Sequence, residues 1–367
     1  LKVATSAANS PERRAEIDGL RALAVLSVAL GHACKLVAGP IAVFVAHAGT
    51  RGVDLFFVLS GFCLSYPLLQ NLREHGRPLP RIAAFLRRRI ARIAPPYYAA
   101  LLLFGALSFT RFGMPEWPGL HLSTPHLLHE LGLDALFLTN AGPIPNPDFW
   151  TLSIEMRWYI FLPLILALYV RSRVLFAALG LALYADYASP YAIADAGTMP
   201  CFMLGIVAAD LALRRYTWTE HFWPAALAML ALAGWWQRST PDVDQGNWLW
   251  HVTSFAVVLA VVGNAFLRRA FSARALVAVG VASYSIYLVH HPLIEAFAYA
   301  GFPVPLAFAL AIVCGFAFWR LVEEPFLRPR VRRAVEAALA FRWIARAFRK
   351  GEPTALPRAA DSPAIRS

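Results

Sequence analysis

Arg21 and His32 stand eleven positions apart in the apolar stretch DGLRALAVLSVALGH, residues 18–32. At about 100° per residue this spacing makes roughly three helical turns, so both side chains lie on one face, about 16 Å apart along the axis. An imidazole can take a proton from a hydroxyl near neutral pH, and a guanidinium can hold an anionic oxygen. Ionisable groups at membrane depth are costly and persist mainly where they face a polar cavity, a partner or a pathway.

Further groups gather at the same two depths. With the first span rising from near Ile17, Arg21 lies roughly 6 Å in and His32 roughly 22 Å in. The stretch GTRGVDLFFVLSGFCLSYPLL runs the other way and brings Asp54 to the end that holds His32. FWTLSIEMRWYIFLPLIL does the same for Ser153, Glu155 and Arg157, and SYSIYLVHHP brings His290 and His291 there, with a kink expected at Pro292. Arg21, Arg89, Arg92, Glu323 and Glu324 gather at the opposite depth. Each also has a plain structural reading. Asp18 and Asp54 can cap helix N-termini, Arg21 can snorkel, and His32 can be a satisfied bundle histidine. Trp150, Trp158 and Tyr159 can be belt or packing aromatics.

The elements that position these residues are membrane spans. Hydrophobic residues make up 59% of the 367 and charged residues only 15%, too apolar a balance for a soluble domain of this length. The fold class expected is all-α, a polytopic transmembrane helical bundle. Ten spans are expected, near 17–37, 49–70, 93–111, 149–170, 174–187, 197–213, 220–237, 248–267, 275–299 and 304–322. Between the third and fourth, LGLDALFLTN (residues 131–140) reads as a short interfacial or re-entrant helix. The net charge of +12 comes from arginine clusters at span ends, which by the positive-inside rule places both termini in the cytoplasm. That distribution argues against a nucleic-acid partner.

The domain reading is a cytoplasmic segment 1–16, an integral membrane domain 17–326 and a basic tail 327–367. The stretch from Ala334 to Lys350 is expected to lie on the inner leaflet, and the final residues to be disordered. No cleavable signal is expected before Arg13; the first span is expected to direct its own insertion. The four cysteines lie in apolar runs without CxxC spacing, so neither a disulfide framework nor a metal site is expected. Walker A, HExxH, GxSxG and GxGxxG motifs are missing, which narrows the chemistry to embedded acid, base and arginine groups.

Six segments in order resemble the membrane acyltransferase 3 family: EIDGLRALAVLSVALGHA, GVDLFFVLSGF, RRRIARIAPPYY, FWTLSIEMRWYIFLPL, SYSIYLVHHP and LVEEPF. The resemblance covers about residues 15–330. It implies an integral O-acyltransferase of a bacterial inner membrane. Its donor would be cytoplasmic acyl-CoA, by default acetyl-CoA, and its acceptor a hydroxyl of a glycan or other envelope molecule. The family's first-span arginine and histidine fall on Arg21 and His32, its RxxR element on Arg89 and Arg92, and its carboxylate on Glu155. Because no SGNH-type esterase domain follows the tenth span, transfer is expected to finish in this chain, through a partner protein on the outer side, or on another acceptor.

An activated thioester needs the donor held, the acceptor hydroxyl deprotonated and the oxyanion stabilised. The expected roles follow: Arg21, Arg89 and Arg92 hold the donor, and His32 is the base, oriented by Glu155 or Asp54. Ser153, Trp150 and His290 contact the acceptor, and no metal takes part. Direct transfer and an acyl-enzyme on His32 or Ser153 both remain open. Two other classes fit part of the pattern: a proton-coupled transporter or exporter, and a noncatalytic scaffold.

Overall fold

The computed structural model describes residues 14–76, 82–109, 124–138, 146–187, 197–239 and 247–339, and among these every regular element is helical. The chain begins with α1 (Ala15–Lys35), the short α2 (Pro40–Thr50), α3 (Gly52–His75) and α4 (Ile82–Ser108). Next come α5 (Thr124–Ala135), α6 (Phe149–Arg171), α7 (Arg173–Tyr187) and α8 (Met199–Arg214). After a single 3₁₀ turn follow α9 (Trp223–Ser239), α10 (Asn247–Gly263), α11 (Ala265–Phe271), α12 (Arg274–Val281), α13 (Ser283–Tyr299) and α14 (Val304–Phe318). A π turn over Trp319–Glu323 leads into α15 (Glu324–Leu327) and α16 (Pro329–Leu339).

Among the described residues each of the ten expected spans coincides for most of its length with helix, and the molecule is a helical membrane bundle. Five helical stretches are long and apolar enough to cross a bilayer, and two bent pairs, α10 with α11 and α12 with α13, raise the number to seven. The other three, α7, α8 and α9, have 15, 16 and 17 residues. Within the described residues each is shorter than the roughly 20 residues of a full crossing. The expected interfacial helix corresponds to α5, which starts earlier in the chain. Residues 1–13, 139–145, 240–246 and 340–367, which include most of the expected N-terminal segment and tail, lie outside the described residues.

Packing follows the residue types. Trp158 of α6 stacks on Phe202 of α8 at 4.5 Å, and Phe57 of α3 meets the same ring at 4.8 Å. Around Tyr97, Phe104, Phe149 and Leu288 a second cluster joins α4, α6 and α13. α3 and α8 touch backbone to backbone through small residues, as tightly crossing membrane helices do. A methyl on Gly61 would sit 2.2 Å from the Phe202 carbonyl oxygen, and one on Gly205 would sit 2.2 Å from that of Val58. Outward faces carry large apolar side chains: Leu102, Leu164, Leu181 and Leu321 are between 58% and 76% exposed, as lipid contact requires.

Candidate active site

Two polar tiers lie one above the other inside the bundle. The first is an open cavity of about 1350 Å³ on the arginine-rich side. It is lined by Arg21 of α1, Arg89 and Arg92 of α4, Glu155 of α6, and Glu323 and Glu324 beyond α14. Arg21 donates to an Asp18 carboxylate oxygen at 3.3 Å and to Cys63 Sγ at 3.4 Å. Glu155 accepts from Ser60 at 2.8 Å and from Tyr159 at 2.5 Å. The π turn swings Glu323 inward, where Ser285 donates to it at 2.6 Å. Arg89 stacks over Phe85, and its Nε is buried without a hydrogen-bond partner. A half-buried guanidinium facing an open basic cavity is a standing offer to an anion.

The cavity ends inward at Thr151 and Tyr287, whose hydroxyls are 2.8 Å apart. Thr151 spends its single proton on the Asp148 carbonyl at 2.9 Å, so Tyr287 is the donor of the pair. Beyond this bridge is the second tier, a buried group of His32, Asp148, His290, His291 and Glu295. His32 Nε2 lies 3.4 Å from Asp148 Oδ1, His291 Nδ1 lies 3.2 Å from the same oxygen, and His290 Nε2 lies 3.5 Å from Oδ2. The rings of His32 and His291 overlap at 3.7 Å. His291 Nε2 faces Glu295 at 3.4 Å.

Local chemistry fixes this group. Pro292 has no N–H, so the Leu288 carbonyl, four residues earlier in α13, loses its helical partner. Asn146 fills that vacancy, donating from Nδ2 at 2.8 Å, while its Oδ1 accepts from the Asp148 backbone N–H at 3.0 Å. A kink in one span thus anchors the loop that presents Asp148. His290 Nδ1 donates to the Tyr287 carbonyl at 2.9 Å, which turns Nε2 toward Asp148. A carboxylate facing His32 Nε2 holds the proton on that nitrogen and leaves Nδ1, buried without a hydrogen-bond partner, with its lone pair free. That nitrogen can act as a base. His32, His290 and Asp148 also bring three ligand atoms within 4.8 Å of one another, a set that could hold a metal ion.

The expected residues divide between the tiers. Arg21, Arg89 and Arg92 meet in the cavity, and His32 and His290 meet above it. The carboxylates expected to orient His32 do not. Glu155 is one of the cavity residues, and Asp54 faces His251 at 3.5 Å. Their place is taken by Asp148, just ahead of α6; Glu155 stands seven residues further on the same helix face, about 10 Å along the axis and at the depth of the cavity rather than of His32, while Asp54 is turned toward α10. Ser153 is buried with its Oγ unbonded, and Trp150 packs against the apolar core. Asp148 escapes an argument from span depth because it lies just ahead of α6 rather than within it; an acidic residue two positions before Trp150 was the available signal.

The family model described as an acyltransferase domain matches residues 14–322. A Staphylococcus aureus (strain COL) protein, provisionally named an O-acetyltransferase, is 24% identical over 86% of this chain and 58% of its own length. A Bacillus subtilis protein, provisionally named a peptidoglycan O-acetyltransferase, is 27% identical over 76% of this chain and 48% of its own. The exopolysaccharide production protein ExoZ of Rhizobium meliloti is 28% identical over 80% of this chain and 94% of its own. The chain thus spans about half the length of the first two relatives and nearly all of the third. No solved structure matches. With the match running from the first described residue to the π turn, the chain belongs to the membrane acyltransferase 3 family.

Proposed function

We propose that the protein is an O-acyltransferase that moves an acyl group, by default acetyl, from acyl-CoA on the cytoplasmic side to a hydroxyl of an envelope glycan. Residues 17–326 form the working unit, set in a bacterial inner membrane. The observation that carries this reading is the stacking of the two tiers: an arginine-lined cavity ends at a hydroxyl bridge directly below a buried carboxylate and histidine group. The names of the relatives point the same way, toward O-acetylation and exopolysaccharide production.

In this reading the donor's phosphates meet Arg89 and Arg92, and its thioester passes Arg21 toward Thr151 and Tyr287. The acceptor hydroxyl gives its proton to His32 Nδ1, and its oxygen attacks the thioester carbonyl. The C–S bond then breaks, and the imidazolium, stabilised by Asp148, returns the proton to the leaving thiolate. Proton transfer by a placed histidine contributes about 10²- to 10⁴-fold. His291 holds Asp148 in place through Nδ1, His290 packs edge-on against the His32 ring, and Ser153 and Trp150 flank the path of the acceptor.

The test uses the protein in nanodiscs with labelled acetyl-CoA and a pool of envelope glycans, following both CoA release and label. The expected result is donor-dependent label on glycan, lost in a folded His32→Ala protein. Normal transfer by that variant would remove His32 from the mechanism. Proton-driven flux of a glycan without CoA release would replace the transferase by the transporter class.

A further inference from the structure

A second buried polar group lies outside both tiers and goes beyond the transferase reading. Asp54 in the first turn of α3, Cys201 in the first turn of α8 and His251 near the start of α10 converge, with one ligand atom from each within 4.8 Å of the others. All three residues are buried. We propose that Asp54, Cys201 and His251 form a site for a transition-metal ion, with Zn²⁺ the best fit, that ties together α3, α8 and α10.

Three observations support it. The first is donor chemistry: a thiolate, an imidazole and a carboxylate suit zinc, whereas magnesium and calcium call for oxygen ligands alone. One thiolate, one carboxylate and a neutral imidazole also balance the two charges of the ion, so the loaded site is neutral in a medium of low dielectric. The second is spacing. His251 Nε2 and Asp54 Oδ1 are 3.5 Å apart, long for a charge-assisted hydrogen bond. Bonds of about 2.0–2.3 Å to a tetrahedral zinc put neighbouring ligand atoms about 3.3–3.8 Å apart, and this pair falls in that interval. The third is what surrounds the ligands. The Tyr184 hydroxyl lies 3.0 Å from His251 Nδ1, the outer contact that orients a metal-binding imidazole and leaves Nε2 to the ion. Asp54 Oδ2 is buried without a hydrogen-bond partner. Sequence spacing gives no hint of the site because its ligands come from three helices far apart in the chain.

The experiment uses the full chain in nanodiscs, stripped by a chelator and reloaded with Zn²⁺ or Co²⁺. Zinc retained after gel filtration is counted by mass spectrometry, and cobalt is read by its thiolate charge-transfer absorption. The expected result is about one zinc per chain and a thiolate band in the wild type, both lost in Cys201→Ala and in His251→Gln. Tyr184→Phe should weaken zinc binding by about tenfold or more. Thermal unfolding should rise with zinc in the wild type and stay fixed in Cys201→Ala. If Cys201→Ala does not fold, His251→Gln carries the test. The proposal is overturned if the wild type retains no zinc, or if the thiolate band survives in Cys201→Ala. It is overturned equally if zinc is lost in His32→Ala but kept in Cys201→Ala, which would place the ion in the histidine tier.

Discussion

Asp148→Asn tests the proposed chemistry most directly, because it keeps the size of the side chain while removing its charge. In the wild type the carboxylate faces His32 Nε2 at 3.4 Å and fixes the proton there. At an effective dielectric constant of about 20, a full charge at that distance stabilises the imidazolium by about 5 kcal/mol. At roughly 1.4 kcal/mol per decade this is between three and four decades of rate. Sharing the carboxylate with His290 and His291 lowers the figure, so kcat should fall by about a thousandfold. An amide can also turn its NH₂ toward Nε2, which moves the ring proton to Nδ1 and blocks the basic nitrogen. The KM for acetyl-CoA should change by less than about threefold, since Asp148 does not line the donor cavity. The assay is label transfer at saturating donor, with thermal unfolding as the folding control. Combined with His32→Ala the effect should be far from additive, because the two residues act as one unit. A kcat reduced by less than about tenfold in a folded Asp148→Asn protein would refute the assignment of Asp148 as the orienting group.

Other predictions address the cavity, the bridge and the helix packing. Arg89→Ala, which removes a half-buried guanidinium whose Nε has no partner, should raise the KM for acetyl-CoA by about 10- to 100-fold, the loss of one charge-assisted hydrogen bond. Steady-state kinetics checks it, and an unchanged KM would exclude phosphate contact there. Tyr287→Phe removes the donor of the bridge to Thr151 and should lower kcat a few-fold to tenfold. A double-mutant cycle with Thr151→Val should show coupling, and independent effects would contradict a shared bridge. Gly61→Val forces a side chain into the Phe202 backbone and should abolish recovery of monodisperse protein. Gly132→Ala, where an added methyl meets nothing within 4 Å, should leave stability unchanged or raise it by about 0.5–1 kcal/mol. Size-exclusion profiles and thermal unfolding distinguish the two.

The sequence made depth legible and direction less so. Apolar length fixed the helices, and the rise per residue put Arg21 with Arg89 and Arg92 and His32 with His290. Glu155 shows the limit of depth itself: expected level with His32, it stands two turns beyond Asp148 on the same face of α6 and reaches the cavity instead. Asp54 was placed at the right end of α3, but its partner His251 arrives from α10, which no local pattern links to it. The kink at Pro292 was readable, whereas its consequence, a carbonyl freed for Asn146, required the loop and the helix to be seen together.

The hydroxyl bridge between Thr151 and Tyr287 has an electrical consequence. An open polar cavity carries the potential of its own side of the membrane inward to its closed end. The voltage then falls over the remaining thickness, which holds the bridge and the histidine group, rather than over the full bilayer. The field there is steeper than in the lipid around it. A charge moved across the whole drop is worth about 2.3 kcal/mol per 100 mV. In the proposed reaction, proton movement between a hydroxyl and His32, and the charge that builds on a leaving thiolate, would take place inside this thinned insulator. The bridge is therefore the part of the bundle where a resting potential acts most strongly on whatever crosses it.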